Sequence, residues 1–241
     1  MLNLTRYSLT LLISLLSLSS IYPEESTDAL SGSASLGYFS SNGNSDSTNL
    51  NADLKMSYSL GGRWTHKLKA SAMSANNEEV SSAERYFLAY QADFAMNARS
   101  FLFARVEAEK DRFSAYDLRT TESAGYGYKL FDTDTRKWIV EAGVGATQLK
   151  PRNGLDDITS AIALLATEYV WKLSKTAEFS QTVDYEIASD NKFLNSVTSL
   201  RASVWEDFGI RVSYNIKNNS DVPVGVENTD TFTSIGLDYS F

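Results

Sequence analysis

Apolar and polar residues alternate with a period of two along nearly all of the chain beyond its N-terminal segment. In residues 49–60, for example, Leu50 and Leu54 fall on one face, whereas Asp53 and Lys55 fall on the other. Successive side chains of a strand point to opposite faces, so this pattern predicts a long strand with one apolar and one polar face.

The same reasoning predicts about twelve strands. Their expected spans are 30–41, 48–60, 63–74, 83–95, 99–109, 119–130, 137–147, 158–171, 177–187, 193–204, 207–217 and 229–241. The span 158–171 is the least regular, because residues 161–166 are apolar on both faces. A helix is the alternative there, and the strand pattern on either side favours a strand.

The expected connections alternate in length. Those after even-numbered strands are short, at residues 61–62, 96–98, 131–136, 172–176 and 205–206. Most of the others are longer and polar, such as 74–82, 110–118, 148–157 and 218–228. This alternation is typical of outer-membrane barrels with short periplasmic turns. We therefore predict an all-β fold, a closed antiparallel up-and-down transmembrane β-barrel of about 12 strands with periplasmic N- and C-termini.

Aromatic residues cluster at the short connections, a set comprising Tyr58, Trp64, Phe94, Phe101, Tyr128, Trp138, Trp171, Trp205 and Phe208. A looser set lies near the longer connections, at Tyr38, Tyr86, Tyr185 and Phe193. Aromatic rings favour the membrane–water interface, so the two sets predict two girdles. The alternative, the core of a soluble sandwich, does not account for clustering at one set of turns.

The N-terminal segment predicts export. Residues 1–22 combine a basic start, an apolar run at 9–18 and small residues after it, which is typical of a cleavable signal peptide. The apolar run is shorter than the ~20 residues that cross a bilayer as a helix. A buried strand or short helix is the alternative. We expect residues 23–29 to be a flexible lead-in and residues 30–241 to form the barrel.

Composition narrows the possible functions. The 241 residues carry a formal charge of −8, no Cys and one His. The acidic charge disfavours nucleic-acid binding, and the absence of Cys excludes thiol chemistry and Cys-ligated metals. His66 falls on an apolar face, and carboxylate pairs such as Glu107 and Glu109 are too common in this chain to indicate catalysis. We expect no enzymatic activity, no cofactor and no metal site. The loop 42–46 has a calcium-like composition, but it lacks the required spacing and is expected to be a solvated turn.

The polar faces, expected to line the lumen, carry charges of both signs. The basic candidates are Lys55, Lys67, Lys69, Arg85, Arg105, Lys129, Arg201, Arg211 and Lys217. The acidic candidates are Asp53, Asp93, Glu107, Glu109, Glu141, Glu168, Glu178, Asp184, Glu186 and Asp238. Candidate rim charges are Asp111 and Arg112. Salt bridges that hold or plug the wall are one interpretation, and a hydrated, solute-selecting lumen is the other.

Two local groups of like charge bear on this choice. Lys67 and Lys69 lie two residues apart, beside Lys55 on the neighbouring strand, and Glu107 and Glu109 could face Arg85. Cross-strand ion pairing is the expected role of both groups. Binding of an anion or a cation is the alternative.

Several segments resemble one known family. Residues 37–70 (GYFSSNGNSDSTNLNADLKMSYSLGGRWTHKLKA), 83–94 (AERYFLAYQADF), 103–134 and 168–174 are similar to the domain-of-unknown-function 481 (DUF481) family, described as salt-induced outer-membrane proteins. The resemblance implies a Gram-negative outer-membrane β-barrel and supplies no active site. Its signature positions here are Glu84, Arg85, Tyr86, Glu107, Asp111, Arg112 and Phe113.

These observations lead to two functional hypotheses. The first is a porin-like narrow channel or envelope protein of the cell outer membrane, linked to salt or osmotic stress. The second is a plugged structural or surface-interaction barrel without conductance, marked by inner charges that pair across the lumen. A soluble periplasmic β-protein is a third. Expected partners are outer-membrane lipid, lipopolysaccharide and, through the last strand ending at Phe241, the barrel-assembly machinery. We expect a monomer.

Overall fold

The computed structural model describes residues 29–41, 47–77, 80–112, 116–152, 156–189, 191–222 and 227–241. Within these residues, twelve antiparallel strands form one closed barrel, because each strand pairs with the next and β1 also pairs with β12. Their bounds are β1 Ala29–Ser41, β2 Ser47–Ser59, β3 Trp64–Asn77, β4 Val80–Ala95, β5 Ser100–Asp111, β6 Tyr116–Asp132, β7 Arg136–Pro151, β8 Ile158–Lys172, β9 Ala177–Ile187, β10 Lys192–Trp205, β11 Phe208–Asn219 and β12 Thr229–Ser240.

The predicted closed antiparallel barrel is confirmed, including the strand rather than the helix at β8. The expected signal peptide at 1–22 lies outside the described residues, as does nearly all of the lead-in at 23–29. Nowhere in the described part of the chain is there a helix long and apolar enough to cross a membrane.

The connections define two ends of the barrel. At the turn end lie the links 60–63, 96–99, 133–135, 173–176 and 206–207, together with the start of β1 and the end of β12. At the loop end lie the links that follow the odd-numbered strands. The names turn end and loop end are used below.

The predicted contrast between short and long links was partly wrong. The link expected at 74–82 covers 78–79, because β3 continues to Asn77 and β4 starts at Val80. The links expected at 110–118 and 148–157 shrink in the same way, whereas 220–228 remains long. Both faces of the strands are largely polar near the loop end, so the alternation that marks a strand fades there while the backbone pairing continues.

The outer wall of the barrel is apolar. Side chains such as Val144 and Leu237 are 70% and 68% exposed there. Aromatic rings contact one another around the turn end, with centroids 5.9 Å apart for Trp138 and Tyr169 and 4.9 Å apart for Phe208 and Tyr239. A wall of exposed apolar side chains this extensive requires an apolar environment or a partner.

Two aromatic residues assigned to the girdles point inward instead. Phe101 packs with Phe103 and Leu164 inside the barrel, and Phe193 is also buried. Phe101 lies opposite Gly127 in the β5–β6 register, and a Cβ atom on Gly127 would overlap its ring. The missing side chain of Gly127 thus makes room for Phe101 in the lumen.

Candidate functional site

Barrel register brings the predicted inner charges into rows that run around the lumen. Lys67, Gln91 and Arg105 are direct cross-strand partners on β3, β4 and β5. Directly paired residues point to the same face of a sheet, and side chains alternate along each strand. Knowing that one row of paired residues points into the lumen therefore shows which other residues do so. All predicted inner charges fall on this inner face, including Lys129, which lies directly opposite the inward-facing Ile139 and precedes a β-bulge.

Arg105 is the centre of a buried network. Its Nε donates to Gln91 Oε1 at 2.6 Å and its Nη1 to Asp184 Oδ1 at 2.9 Å, while Nη2 bonds Glu141. Gln91 Nε2 donates in turn to Glu141 Oε1 at 2.9 Å. Glu107 is 3.7 Å from the guanidinium. Because β5 and β9 are four strands apart, the bond to Asp184 reaches over the lumen rather than along the wall.

Asp238 is the centre of a second cluster, close to the turn end. Its carboxylate is fully buried and bonds two guanidinium groups, those of Arg201 and Arg211. The Arg211 Nη2 lies 2.8 Å from Asp238 Oδ2, and Arg201 also donates to Ser203 Oγ at 2.7 Å and to the Asp207 carbonyl at 2.8 Å. The predicted lumen residues Arg201 and Arg211 thus share one counter-ion.

A third set, the loop-end ion pairs, consists of Lys217–Glu109, Arg119–Glu186 and Arg85–Asp111. Lys217 lies on β11 and Glu109 on β5, six strands away in a ring of twelve. These two side chains therefore come from opposite walls and meet inside the lumen. Arg119 also lies over the Phe193 ring, with its guanidinium carbon 4.0 Å from the centroid.

The lumen holds two cavities that share no lining residue, and Glu109, Asp111, Arg119 and Glu186 of the loop-end ion pairs line one of them. The turn-end cavity is lined by side chains that include Lys69, Glu107 and Asp184. Lining the loop-end cavity are side chains that include Glu109 and Glu186, the next inner positions on the same strands. On β5 the lining changes from one cavity to the other between residues 107 and 109, and on β9 it changes between residues 184 and 186.

Among the described residues, the interior contains buried polar atoms whose hydrogen bonds are unsatisfied. The side-chain oxygens of Ser123, Asn195 and Asn215 are buried and have no protein hydrogen-bond partner. Buried polar atoms of this kind are normally satisfied by water. The lumen is therefore polar enough to hold water near these atoms.

The predicted partner of Arg85 was wrong. Arg85 faces Asp111, its direct register partner, with Nη2 2.6 Å from Oδ2, and not Glu107 or Glu109. Glu109 is taken instead by Lys217 from the opposite wall. Register explains the difference, because Glu109 and Glu107 lie opposite Phe87 and Ala89 rather than opposite Arg85.

The three predicted inner lysines, Lys55, Lys67 and Lys69, differ in their contacts. Lys67 forms the predicted cross-strand ion pair, with Nζ 2.7 Å from Asp93 Oδ2. Lys55 and Lys69 lie directly opposite each other on β2 and β3. Neither is within ion-pair distance of a carboxylate among the described residues, but both interact electrostatically with Glu168 on β8. The expectation of ion pairing therefore holds for one lysine of the three.

The remaining candidates lie outside the lumen or outside the described residues. Arg112 is exposed at the loop-end rim, with Nη1 2.9 Å from Glu84 Oε2. Phe113 and the loop 42–46 lie outside the described residues. His66 lies on the outer wall, where its Nδ1 is 2.6 Å from the Tyr90 hydroxyl. Among the side chains that the structure describes, none form a group of three or more suited to hold a metal ion.

Sequence reasoning missed three contributors to these networks, Arg119, Gln91 and Phe232. Phe232 lies under Arg85, whose guanidinium carbon is 4.6 Å from the ring centroid. Arg119 could have been found, because it keeps the two-residue spacing of the inner positions Thr121 and Ser123. The role of Gln91 depends on contacts with β7 and carries no local signal.

Comparison with known proteins places the chain in a family. A family model described as "protein of unknown function, DUF481" matches residues 34–241. The chain belongs to the DUF481 family. The uncharacterized protein YdiY of Escherichia coli strain K12 is 30% identical to it over 220 residues, covering 90% of this chain and 86% of YdiY.

A solved structure supports the same fold for this DUF481 member. An outer-membrane channel of Pseudomonas putida F1 superposes with a TM-score of 0.50 at 12% identity, covering 92% of this chain and all of the channel, 100%. At this identity the likeness concerns the barrel fold alone. The link to salt that the resemblance implies stays a prediction.

Proposed function

We propose that this protein is an outer-membrane β-barrel that holds a narrow, hydrated passage closed by ion pairs reaching across the lumen. The observation that carries the proposal is the pair Lys217–Glu109, which joins opposite walls of the barrel. Arg119–Glu186 closes a neighbouring part of the same level. Pairing across the lumen is the mark expected of a plugged barrel, whereas the two cavities with polar lining residues are those expected of a channel.

The outer wall supports the membrane location. In lipid every backbone donor and acceptor must be paired, and a closed barrel achieves this without free edges. The exposed side chains of the wall are apolar and the aromatic rings gather at one end, as in outer-membrane barrels. The test is fractionation of the cell envelope, with recovery in purified outer membranes expected. Extraction without detergent would favour the soluble periplasmic alternative.

Closure is tested by current through single molecules in a planar bilayer. The refolded wild-type chain should pass no steady current. The double variant Glu109→Ala/Lys217→Ala should give discrete steps, because it removes the two side chains that meet in the lumen. The matched control Glu84→Ala/Arg112→Ala removes a charge pair of the same kind from the exposed rim and should stay silent.

Each other result has a defined meaning. Discrete steps from the wild-type chain would refute closure and establish the open narrow channel. A silent Glu109→Ala/Lys217→Ala variant that is folded by its gel shift would refute closure by this pair alone. Silence after further removal of the Arg119 and Glu186 side chains would refute the passage and establish the plugged structural barrel. The salt gradient applied in the same recordings gives the ion preference of any open state from its reversal potential.

Orientation follows from the same proposal, with the turn end and both termini in the periplasm. The chain contains no Cys, so a single introduced thiol can report on one site. We expect Asp221→Cys at the loop end to react with a membrane-impermeant maleimide on intact cells. Asp134→Cys at the turn end should react after the outer membrane is permeabilised. The opposite labelling pattern would show that the barrel has the reverse orientation in the membrane.

The link to salt or osmotic stress is part of the proposal and rests on the family resemblance and the charged lumen. Outer-membrane levels of the protein should rise after a shift to high salt. A matched shift in sucrose separates an osmotic response from an ionic one. Unchanged levels under both conditions would remove the link.

Lipid, lipopolysaccharide and the barrel-assembly machinery are proposed partners of a monomeric barrel. The last residue supports the assembly role, because Phe241 exchanges backbone hydrogen bonds with Gly32 across the closing seam, at 2.8 and 3.0 Å. Phe241→Ala should slow insertion in cells more than spontaneous refolding in detergent. An equal delay in both would assign Phe241 to closure of the barrel alone.

A further inference from the structure

Charge is distributed unevenly around the turn end. Four links that neighbour one another around the barrel, 60–63, 96–99, 133–135 and 173–176, contain six cations and three carboxylates when two residues on either side of each are included. The six cations, named the basic arc below, are Arg63, Arg99, Arg136, Lys137, Lys172 and Lys175. The chain as a whole has 30 acidic against 22 basic residues, so the basic arc reverses the balance locally.

The rest of the turn end has the opposite sign. The fifth link, 206–207, consists of Glu206 and Asp207, and the two residues on either side of it include no cation. The positive charge therefore covers one side of the turn end, from the β2–β3 turn to the β8–β9 turn, and does not form a complete ring.

The three carboxylates beside the basic arc do not neutralise it. Asp132 is bonded by Lys129, which lies outside the arc, with Nζ 2.9 Å from Oδ2. Glu178 lies on the inner face, in register with Arg201 as well as with Lys172. Asp134 is an exposed residue of the 133–135 link. All six cations of the arc are exposed, and none is within ion-pair distance of a carboxylate in the described part of the chain.

Two guanidinium groups of the arc lie against rings of the outer wall. The Arg136 guanidinium carbon is 4.9 Å from the centroid of the Trp171 ring, and that of Arg63 is 5.8 Å from the centroid of the Phe94 ring. Both rings belong to the aromatic cluster of the turn end. Aromatic girdles lie at the depth of the lipid headgroups, so these guanidinium groups lie beside the headgroups and not in the lumen.

Exposed apolar side chains accompany the cations. Leu60 lies in the same link as Arg63, Met96 in the same link as Arg99, and Leu173 in the same link as Lys175, and all three apolar side chains are exposed. A soluble acidic partner would be matched by the cations alone. Cations that alternate with exposed apolar side chains match a surface that is both anionic and apolar, which is the surface of an anionic lipid.

We propose that the basic arc binds anionic phospholipid of the phosphatidylglycerol type at the turn end of the barrel. The phosphodiester group accepts charge-assisted hydrogen bonds from guanidinium and ammonium groups, while the acyl chains cover the apolar wall. A zwitterionic headgroup has the same phosphodiester, but its own cationic group is repelled by the arc. The proposal rests on the membrane location proposed above and does not require that the barrel conducts.

Two tryptophans report on the two sides of the turn end. Trp171 lies under Arg136 in the basic arc, whereas Trp205 precedes the acidic link and is 70% exposed. Chains that keep only one of them, with the other three tryptophans replaced by Phe, are folded into phosphatidylcholine vesicles. Brominated phosphatidylglycerol or brominated phosphatidylcholine is then added at the same fraction, and its quenching of the fluorescence gives the relative affinity of the two lipids at each tryptophan.

The expected result is a preference at one tryptophan. Near Trp171 the affinity for phosphatidylglycerol should exceed that for phosphatidylcholine at least about threefold, because each basic side chain at a membrane surface favours anionic lipid. Near Trp205 the anionic lipid should have no advantage. This comparison requires no change to the charged residues, so it does not depend on the folding of a charge variant.

Charge variants of the Trp171 chain locate the effect. Arg136→Gln/Lys175→Gln should remove the preference for phosphatidylglycerol. Arg112→Gln/Lys150→Gln removes one arginine and one lysine from exposed positions at the loop end, so it is the matched control and should keep the preference.

Several results would overturn the proposal. Equal preferences at Trp171 and Trp205 would show that the arc does not select the lipid and would leave it to a soluble anionic partner. A preference that survives in Arg136→Gln/Lys175→Gln, or that is lost in Arg112→Gln/Lys150→Gln, would assign the effect to net charge. Absence of quenching by both lipids would refute the membrane location itself, so failure of the proposed function is distinguishable from failure of the site.

Discussion

Replacement of Asp238 by asparagine tests how far buried charge pairs hold the barrel together. Asp238 is 1% exposed, and its carboxylate bonds Arg201 and Arg211, whose side chains are 13% and 15% exposed. The variant keeps the size of the side chain and one acceptor oxygen. It removes the negative charge that two buried guanidinium groups share.

The expected cost follows from this geometry. Removing one partner of a buried pair costs about 3–5 kcal/mol, because the remaining charge stays buried without a counter-ion. Asparagine still accepts one hydrogen bond, which places Asp238→Asn near the lower limit, at about 3 kcal/mol. Since about 1.4 kcal/mol corresponds to a factor of ten, the unfolding equilibrium constant should rise about 100-fold.

The matched control is Asp230→Asn on the same strand. Asp230 also faces the lumen, but its side chain is 58% exposed and its contact with Arg85 is long, at 3.9 Å. Exposed pairs contribute about 0–1 kcal/mol, so this variant should unfold almost as the wild-type chain does. The two variants make the same chemical change on one strand and differ in burial.

The assay is urea unfolding in lipid vesicles, followed by tryptophan fluorescence. The chain has four tryptophans, and Trp64, Trp138, Trp171 and Trp205 all lie near the turn end, the end at which Asp238 is found. Equal unfolding free energies for Asp238→Asn and Asp230→Asn would refute the reasoning, because burial would then have no effect on the value of the charge pair.

Two further predictions concern the walls. Val144→Arg, on the exposed part of the outer wall, should lower the free energy of unfolding in vesicles by about 2–4 kcal/mol. Gln148→Arg, four residues nearer the loop end on the same strand, should lower it by about 0–1 kcal/mol. Equal losses in urea unfolding would contradict a lipid-facing belt. Gly127→Ala should lower the free energy of unfolding by about 1–3 kcal/mol, because the new Cβ atom overlaps the Phe101 ring. Adding Phe101→Leu should restore part of this loss. If the effects of the two substitutions simply add in the double variant, the packing is contradicted.

The strands of this barrel can be predicted from the sequence, because apolar and polar residues alternate along each of them. The inner facing of Lys67 and Asp93 follows from the same alternation, and their ion pair joins adjacent strands. Phe101 was misassigned although the signal was present, since it keeps the two-residue spacing of Phe103 and Arg105. Proximity to a turn does not determine which face of the strand a ring occupies, and the face decides whether the ring meets lipid or lumen.

Pairing across the lumen cannot be read locally. Lys217 and Glu109 are 108 residues apart and meet because twelve strands close with one particular stagger. A shift of two residues in any one pairing would keep every inner residue inside and would still change which charges meet across the lumen. Alternation therefore predicts which residues line the lumen, whereas the stagger at which the barrel closes determines which of them form ion pairs.

The distribution of charge separates closure from ion recognition. The loop-end ion pairs match one cation with one anion each, so that level is locally neutral and suited to close the passage. The turn-end cavity is uneven, since the carboxylates of Glu107, Glu141, Glu168 and Asp184 outnumber the three cations that line it, Lys67, Lys69 and Arg105. A neutral level holds two walls together, and an uneven level attracts an ion. Removal of the Lys217–Glu109 pair should therefore open the lumen and leave the Arg105 network intact, because Glu109 and Arg105 line different cavities.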